Sequence, residues 1–142
     1  MKYAAIILLS FFSFHAQAQS RAEATFVSKS LVLDSMIEGE VDTVVYHFTN
    51  TGGSDLVLYK ANTTCGCTVA SIPTRPIKPG ESETIVATFN SSHKPGYNAK
   101  GINIDSNIGE INLVFQVKVI PNMNLKKEVE KAPPIDHSGH NH

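Results

Sequence analysis

Between Glu110 and Pro121 the side chains alternate without a break, with Ile111, Leu113, Phe115, Val117 and Val119 on one side and Asn112, Val114, Gln116, Lys118 and Ile120 on the other. Successive side chains of an extended strand leave opposite faces, so a two-residue period this long fits a strand with one buried face and fits no helix. Pro121 ends the run, because proline has no N–H to give to a ladder. A strand with one apolar face needs partners to cover it, and the rest of the chain supplies them.

From Glu40 to Thr51 the same period recurs, with Val44, Tyr46 and Phe48 on one face and Thr43, Val45, His47 and Thr49 on the other. The cluster Asn50-Thr51-Gly52-Gly53-Ser54-Asp55 is turn chemistry, and Leu56 to Tyr59 behind it predicts the second arm of a hairpin. Ile85, Ala87 and Phe89 alternate within Ser82 to Asn90, and Ile102 with Ile104 marks a further short strand. Thr25-Phe26-Val27 and Ser30 to Leu33 predict one or two strands, and Asp34 to Gly39 a connection. Pro73, Pro76 and Pro79 keep Ile72 to Glu81 out of any central strand or helix. Pro79-Gly80 has the order of a type II turn. About seven short strands separated by turns, with no long apolar pattern of helical period, predict an all-β immunoglobulin-like β-sandwich, with a small barrel as the alternative. Phe48, Leu58, Ile85, Phe89, Ile104, Leu113, Phe115 and Val117 share parity in their strands and form the expected core.

The ends read differently. Met1-Lys2, the apolar stretches Ala4 to Leu9 and Phe11 to Phe14, and Ala16-Gln17-Ala18 have the order of a secretory signal peptide over 1–18. The expected product is therefore exported, periplasmic or secreted, with no transmembrane segment in the mature chain and no cysteine near the cleavage point to carry a lipid. About 124 of the 142 residues remain, enough for one domain, expected over 24–121. Beyond it, 122–142 reads as a flexible extension: Lys126 to Lys131 allows a brief helix, and Pro133-Pro134 ends it. A net charge of −1 with 18% charged residues provides no basic field for nucleic acid, and 42% hydrophobic residues argue against a disordered chain.

The only two cysteines stand one residue apart in Asn62-Thr63-Thr64-Cys65-Gly66-Cys67-Thr68. In an extended strand both sulfurs would leave the same face, with the Cα atoms about 6.6 Å apart, so closing a disulfide requires a bend at Gly66. Three readings stay open: two small buried side chains, a reducible disulfide, or a two-thiolate seat for a soft metal such as Cu(I). As neighbours they cannot staple distant segments, and the minimal loop gives a disulfide little chain-entropy stabilisation.

His137, His140 and His142 lie with Asp136 in the last seven residues, a set that can wrap copper or zinc if it does anything specific at all. The candidate metal ligands are therefore Cys65, Cys67, His137, His140 and His142. His47 and His93 fall at exposed positions and carry no such expectation. No Gly-x-Ser-x-Gly, no His-Glu-x-x-His and no Gly-rich phosphate loop occurs, so nothing nominates an active site and no enzyme is expected. Asn62-Thr63-Thr64 and Asn90-Ser91-Ser92 match the glycosylation sequon, a short pattern that matters only in a host that modifies it.

Over Val41 to Val119 the chain resembles a bacterial family of domains of unknown function, number 1573. The resemblance rests on Tyr46-His47-Phe48-Thr49-Asn50-Thr51-Gly52, Leu56-Val57-Leu58, Thr64-Cys65-Gly66-Cys67-Thr68, Pro76-Ile77-Lys78-Pro79-Gly80-Glu81 and Ser106-Asn107. It implies an immunoglobulin-like domain similar to the Hydin and major sperm protein type, whose members mostly serve as interaction or structural modules. The sequence departs from the family at Asp34-Ser35-Met36-Ile37, where an Asp-Phe-Gly-like turn is usual. The preferred reading is an exported module that presents a sheet edge or the cysteine-bearing end to a protein partner. The alternatives are a metal-handling protein and a thiol redox protein of the cell envelope.

Overall fold

The computed structural model describes residues 20–124, so the expected signal peptide, the Lys126 to Lys131 segment and the three tail histidines lie outside the described residues. Within them run nine strands: β1 (Ala24–Phe26), β2 (Ser30–Val32), β3 (Met36–Ile37), β4 (Val41–Asn50), β5 (Leu58–Thr63), β6 (Thr68–Ser71), β7 (Ser82–Asn90), β8 (Gly96–Ser106) and β9 (Gly109–Ile120). They form two sheets, β1-β4-β7-β6 and β2-β9-β8-β5, with β3 also on β9. The strongest alternations in the sequence make the centres of these sheets, β4 with β7 in one and β8 with β9 in the other.

Nine strands are compatible with a seven-strand plan, because β1, β2 and β3 are successive pieces of one first strand. β1 is antiparallel to β4; the chain then bends at Val27 and Lys29, and between them the Ser28 hydroxyl both accepts from Ser30 N–H and lies 2.6 Å from Ser30 O. Beyond the bend, β2 and β3 run parallel to β9 in the opposite sheet. The stretch Asp34 to Gly39, expected as a connection, therefore contains the short β3. It lies where the sequence departs from the family it resembles.

The predicted hairpin does not form. After β4 the chain crosses to the other sheet, where Leu58 to Thr63 pairs with β8, and Leu56 makes a single antiparallel bridge to Ile77. β7 offers β4 a register of nine residue pairs, Val41↔Asn90 to Thr49↔Ser82, which a short run starting at Leu56 cannot match. The Ile102-Ile104 strand is also longer than expected. It starts at Gly96, whose positive φ turns the chain out of the Ser91 to Pro95 bend. At Gly80 the positive φ, with Glu81 N–H bonded to Lys78 O, is the turn expected from Pro79-Gly80.

All eight expected core residues are buried between the sheets. Phe89 of β7 meets Phe115 of β9 edge-to-face across the sandwich, with ring centroids 5.6 Å apart, and Phe26 stacks on Phe48 at 5.1 Å. Leu56 and Ile77 seal the end opposite the cysteines, both fully buried.

Candidate functional site

The cysteine-bearing corner is where the chain passes from one sheet to the other. Among the described residues β5 is the outer strand of its sheet and β6 of the other, so Thr64 to Cys67 joins two uncovered edges on one side of the sandwich. Backbone bonds tie the corner to both sheets. Thr64 N–H donates to Gly101 O on β8 at 3.2 Å, and Gly101 N–H returns a bond to Thr64 Oγ1. Asn90 N–H, at the end of β7, donates to Cys67 O at 2.9 Å. Between these anchors the Thr63 hydroxyl lies 3.1 Å from Cys65 O and 2.9 Å from Thr68 O, and Thr68 N–H donates to Cys65 O.

Held this way, Cys65 and Cys67 are joined by a disulfide with their Cα atoms 5.3 Å apart, shorter than the extended spacing. The bend at Gly66 that such closure requires is present, and Gly66 itself is exposed with open space around it. Both cysteines are half-buried. The hydroxyl of Thr68, a residue only 3% exposed, sits 3.8 Å from Cys65 Sγ and 3.9 Å from Cys67 Sγ, within hydrogen-bond reach of both sulfurs. In this state there are no thiolates to hold a metal, and a soft-metal seat would first require reduction of the bond. Among the described residues no group of three or more His, Cys, Asp or Glu converges on a metal position. His47 and His93 are exposed, on the outer face of β4 and in the bend after β7.

The edge beside this corner has a definite hydrogen-bonding parity. Cys67 and Asn90 are bonded partners in the antiparallel β6–β7 ladder, so Thr68 and Ala70 turn their N–H and C=O away from β7. Those of Thr68 are taken by Cys65 and Thr63. Those of Ala70 face the open edge, and Pro73 ends the run soon after.

The outer face of the β1-β4-β7-β6 sheet continues from that edge. Val41, Thr43, Val45, His47 and Thr49 of β4 stand against Asn90, Thr88, Val86, Thr84 and Ser82 of β7, flanked by Val69 and Ser71 of β6 and Thr25 of β1. None of these is Asp, Glu, Lys or Arg. The outer face of the other sheet does carry charge, in Lys60, Asp105, Glu110 and Lys118. Val69 is 70% exposed and Val41 59%.

Two further constellations lie away from the corner, and the sequence reading missed both. Asn50, fully buried at the end of β4, donates from its amide nitrogen to Ser54 O and Ile77 O, each at 2.8 Å, while its side-chain oxygen accepts from Gly52 N–H at 3.0 Å and Glu23 N–H at 3.4 Å. A Cβ at Gly52 would strike the backbone of Arg21 to Glu23, so the glycine lets these segments close up. In the proline-rich connection, Arg75 bridges Glu81 and Glu83. Hydrogen bonds from Arg75 and from Lys78 N–H hold the Glu81 carboxyl at about 2. Lone turn residues and surface charges are the only sequence signal for either group.

Comparison with known proteins agrees with this architecture. No curated protein matches the chain. A protein of unknown function from Porphyromonas gingivalis W83 superposes with a TM-score of 0.62 at 18% identity, over 75% of this chain and 51% of its own, so the chain spans about half the length of that protein. The ASH/PapD-like domain 7 of human CEP192 superposes with a TM-score of 0.60 at 11% identity, over 86% of this chain and 98% of the domain. At such identities the likeness is one of fold: an immunoglobulin-like, PapD-like sandwich. Among the described residues no helix is long and apolar enough to cross a membrane. The family model "Protein of unknown function (DUF1573)" matches residues 24–120, and the chain belongs to that family.

Proposed function

We propose that this protein is an exported interaction module of the cell envelope that receives a segment of a partner protein along β6. The observation that carries the reading is the combination at that edge, where the outward-facing backbone of Ala70 borders an uncharged sheet face. Adding a strand to an open edge supplies main-chain hydrogen bonds, and side chains beside the edge supply selectivity. Val69 and Ser71 stand in that position. A face without Asp, Glu, Lys or Arg strands none of their charges when it is covered, which suits a partner surface of β-branched and hydroxyl side chains. Export follows from the signal-like sequence at 1–18.

Ala70→Pro tests the reading. Proline is tolerated where the N–H it removes points away from the sheet, so the fold should be kept and the incoming strand refused. Native-size separation of envelope extracts should show wild type in a complex larger than the monomer and A70P as monomer with an unchanged circular dichroism spectrum. Wild type and A70P migrating alike would overturn the β6 assignment.

A further inference from the structure

We infer that Cys65 and Cys67 form a reversible dithiol–disulfide couple that exchanges with a thiol-bearing partner, with Thr68 as the hydroxyl that serves the sulfurs. Access is the first reason. Both cysteines are half-buried at an exposed corner whose apex, Gly66, has open space around it, so a thiolate can reach the bond. The second is that the corner does not depend on the bond for its shape. Gly101 holds Thr64, Asn90 holds Cys67, and the Thr63 hydroxyl spans Cys65 O and Thr68 O. A disulfide that closes so small a loop adds little to the fold, so opening it leaves the sandwich standing.

The third reason is chemical. An incoming thiolate RS⁻ attacks one Sγ, the Cys65–Cys67 bond breaks, a mixed disulfide forms, and the other cysteine departs as a thiolate that takes a proton from solvent. A second RS⁻ attacks the mixed disulfide at the partner's sulfur, giving RSSR and leaving both cysteines reduced. Two electrons pass from two thiols to the protein disulfide, and the reverse sequence reoxidises it. The departing charge needs a donor, and Thr68 Oγ1 lies within reach of either sulfur while the residue is screened from water. Small thiols and cysteines of proteins share this chemistry. The inference does not rest on strand docking at β6, because exchange with a small thiol needs no docked strand.

The test uses the full mature chain in graded reduced and oxidised glutathione, with trapping by maleimide and mass measurement. The expected result is full reversible opening with the β-sheet circular dichroism spectrum retained. A bond that opens only in denaturant would overturn the couple. Thr68→Val should slow exchange roughly fivefold, the worth of one net hydrogen bond, and should move the pH midpoint for alkylation of the reduced protein upward, while Thr68→Ser restores both. Wild-type rate and midpoint in a folded T68V would remove Thr68 from the inference. If T68V fails to fold, Thr68→Ala, which also removes the hydroxyl, carries the same test of rate and midpoint, and the wild-type glutathione equilibrium decides the couple itself. A cysteine-containing peptide run beside glutathione distinguishes the two sources: faster exchange with the peptide assigns protein thiols, and the converse assigns small ones.

Discussion

At the residue scale, two buried polar groups have opposite fates, and each sets a testable stability. Asn50 satisfies its amide fully, with two carbonyls and two N–H groups around it. Asn50→Ala would strand those groups in the interior, and we expect a loss of about 3 kcal/mol in urea unfolding; a loss below about 1 kcal/mol would contradict the hub. Tyr46 is the reverse case: its hydroxyl is buried without a hydrogen-bond partner among the described residues, and burial pushes its pKa from 10.0 up to about 12. Tyr46→Phe should therefore leave stability unchanged or raise it by up to about 1 kcal/mol. The pH dependence follows in sign. Below pH 10 the hydroxyl keeps its proton in both states; between 10 and about 12 the unfolded chain releases it and the folded one does not, so wild type loses stability across that window. Y46F should lack this component, and parallel pH curves for the two proteins would contradict it. Of these residues, the sequence made the bend at Gly66 legible as the condition for a disulfide. It hid Asn50, whose partner Ile77 lies 27 residues away and whose own position reads only as the start of a turn.

At the element scale, alternation was a reliable guide to which residues form strands and which side of each is buried. It failed to say which sheet receives a strand. Leu56 and Leu58 are apolar in the pattern a core needs on either sheet, so the turn before them announced a reversal and concealed a crossover. The division of the first strand was equally hidden, because pieces of two or three residues take their identity from β9, far along the chain. The parity of β9 can be checked directly: Phe115→Ala removes the ring that meets Phe89 and should cost about 3–5 kcal/mol, whereas a loss below about 1 kcal/mol would contradict the packing. The corner between β5 and β6 has its own test. Replacing Cys65 and Cys67 together by serine should cost about 1.5 kcal/mol or less, since strand hydrogen bonds hold the bend and the closed loop is minimal. In the proline-rich connection, NMR titration should find the Glu81 carboxyl near 2 and rising toward the ordinary range in Arg75→Ala, because the Arg75 hydrogen bond is the largest cause of its depression.

At the scale of the whole molecule, the two faces of the sandwich differ in kind. One outer face mixes lysine, aspartate and glutamate; the other presents valine, threonine and serine, with His47 and Asn90, up to an edge whose backbone is partly unused. Charge spread over the first keeps it in water, while the second can be covered without stranding a charge. The disulfide stands at the end of that same edge, which places the proposed thiol-exchange site beside the surface proposed to receive a partner. A photoreactive side chain in place of Val69, with Tyr97 on the other sheet as the control, tests this division most directly in the cells that produce the protein. Both positions are exposed, Val69 at 70% and Tyr97 at 86%, so access alone does not separate them. A discrete protein adduct from position 69, absent from position 97 and lost in A70P, is the expected result; equal labelling from both positions, or an adduct that survives A70P, would contradict docking along β6.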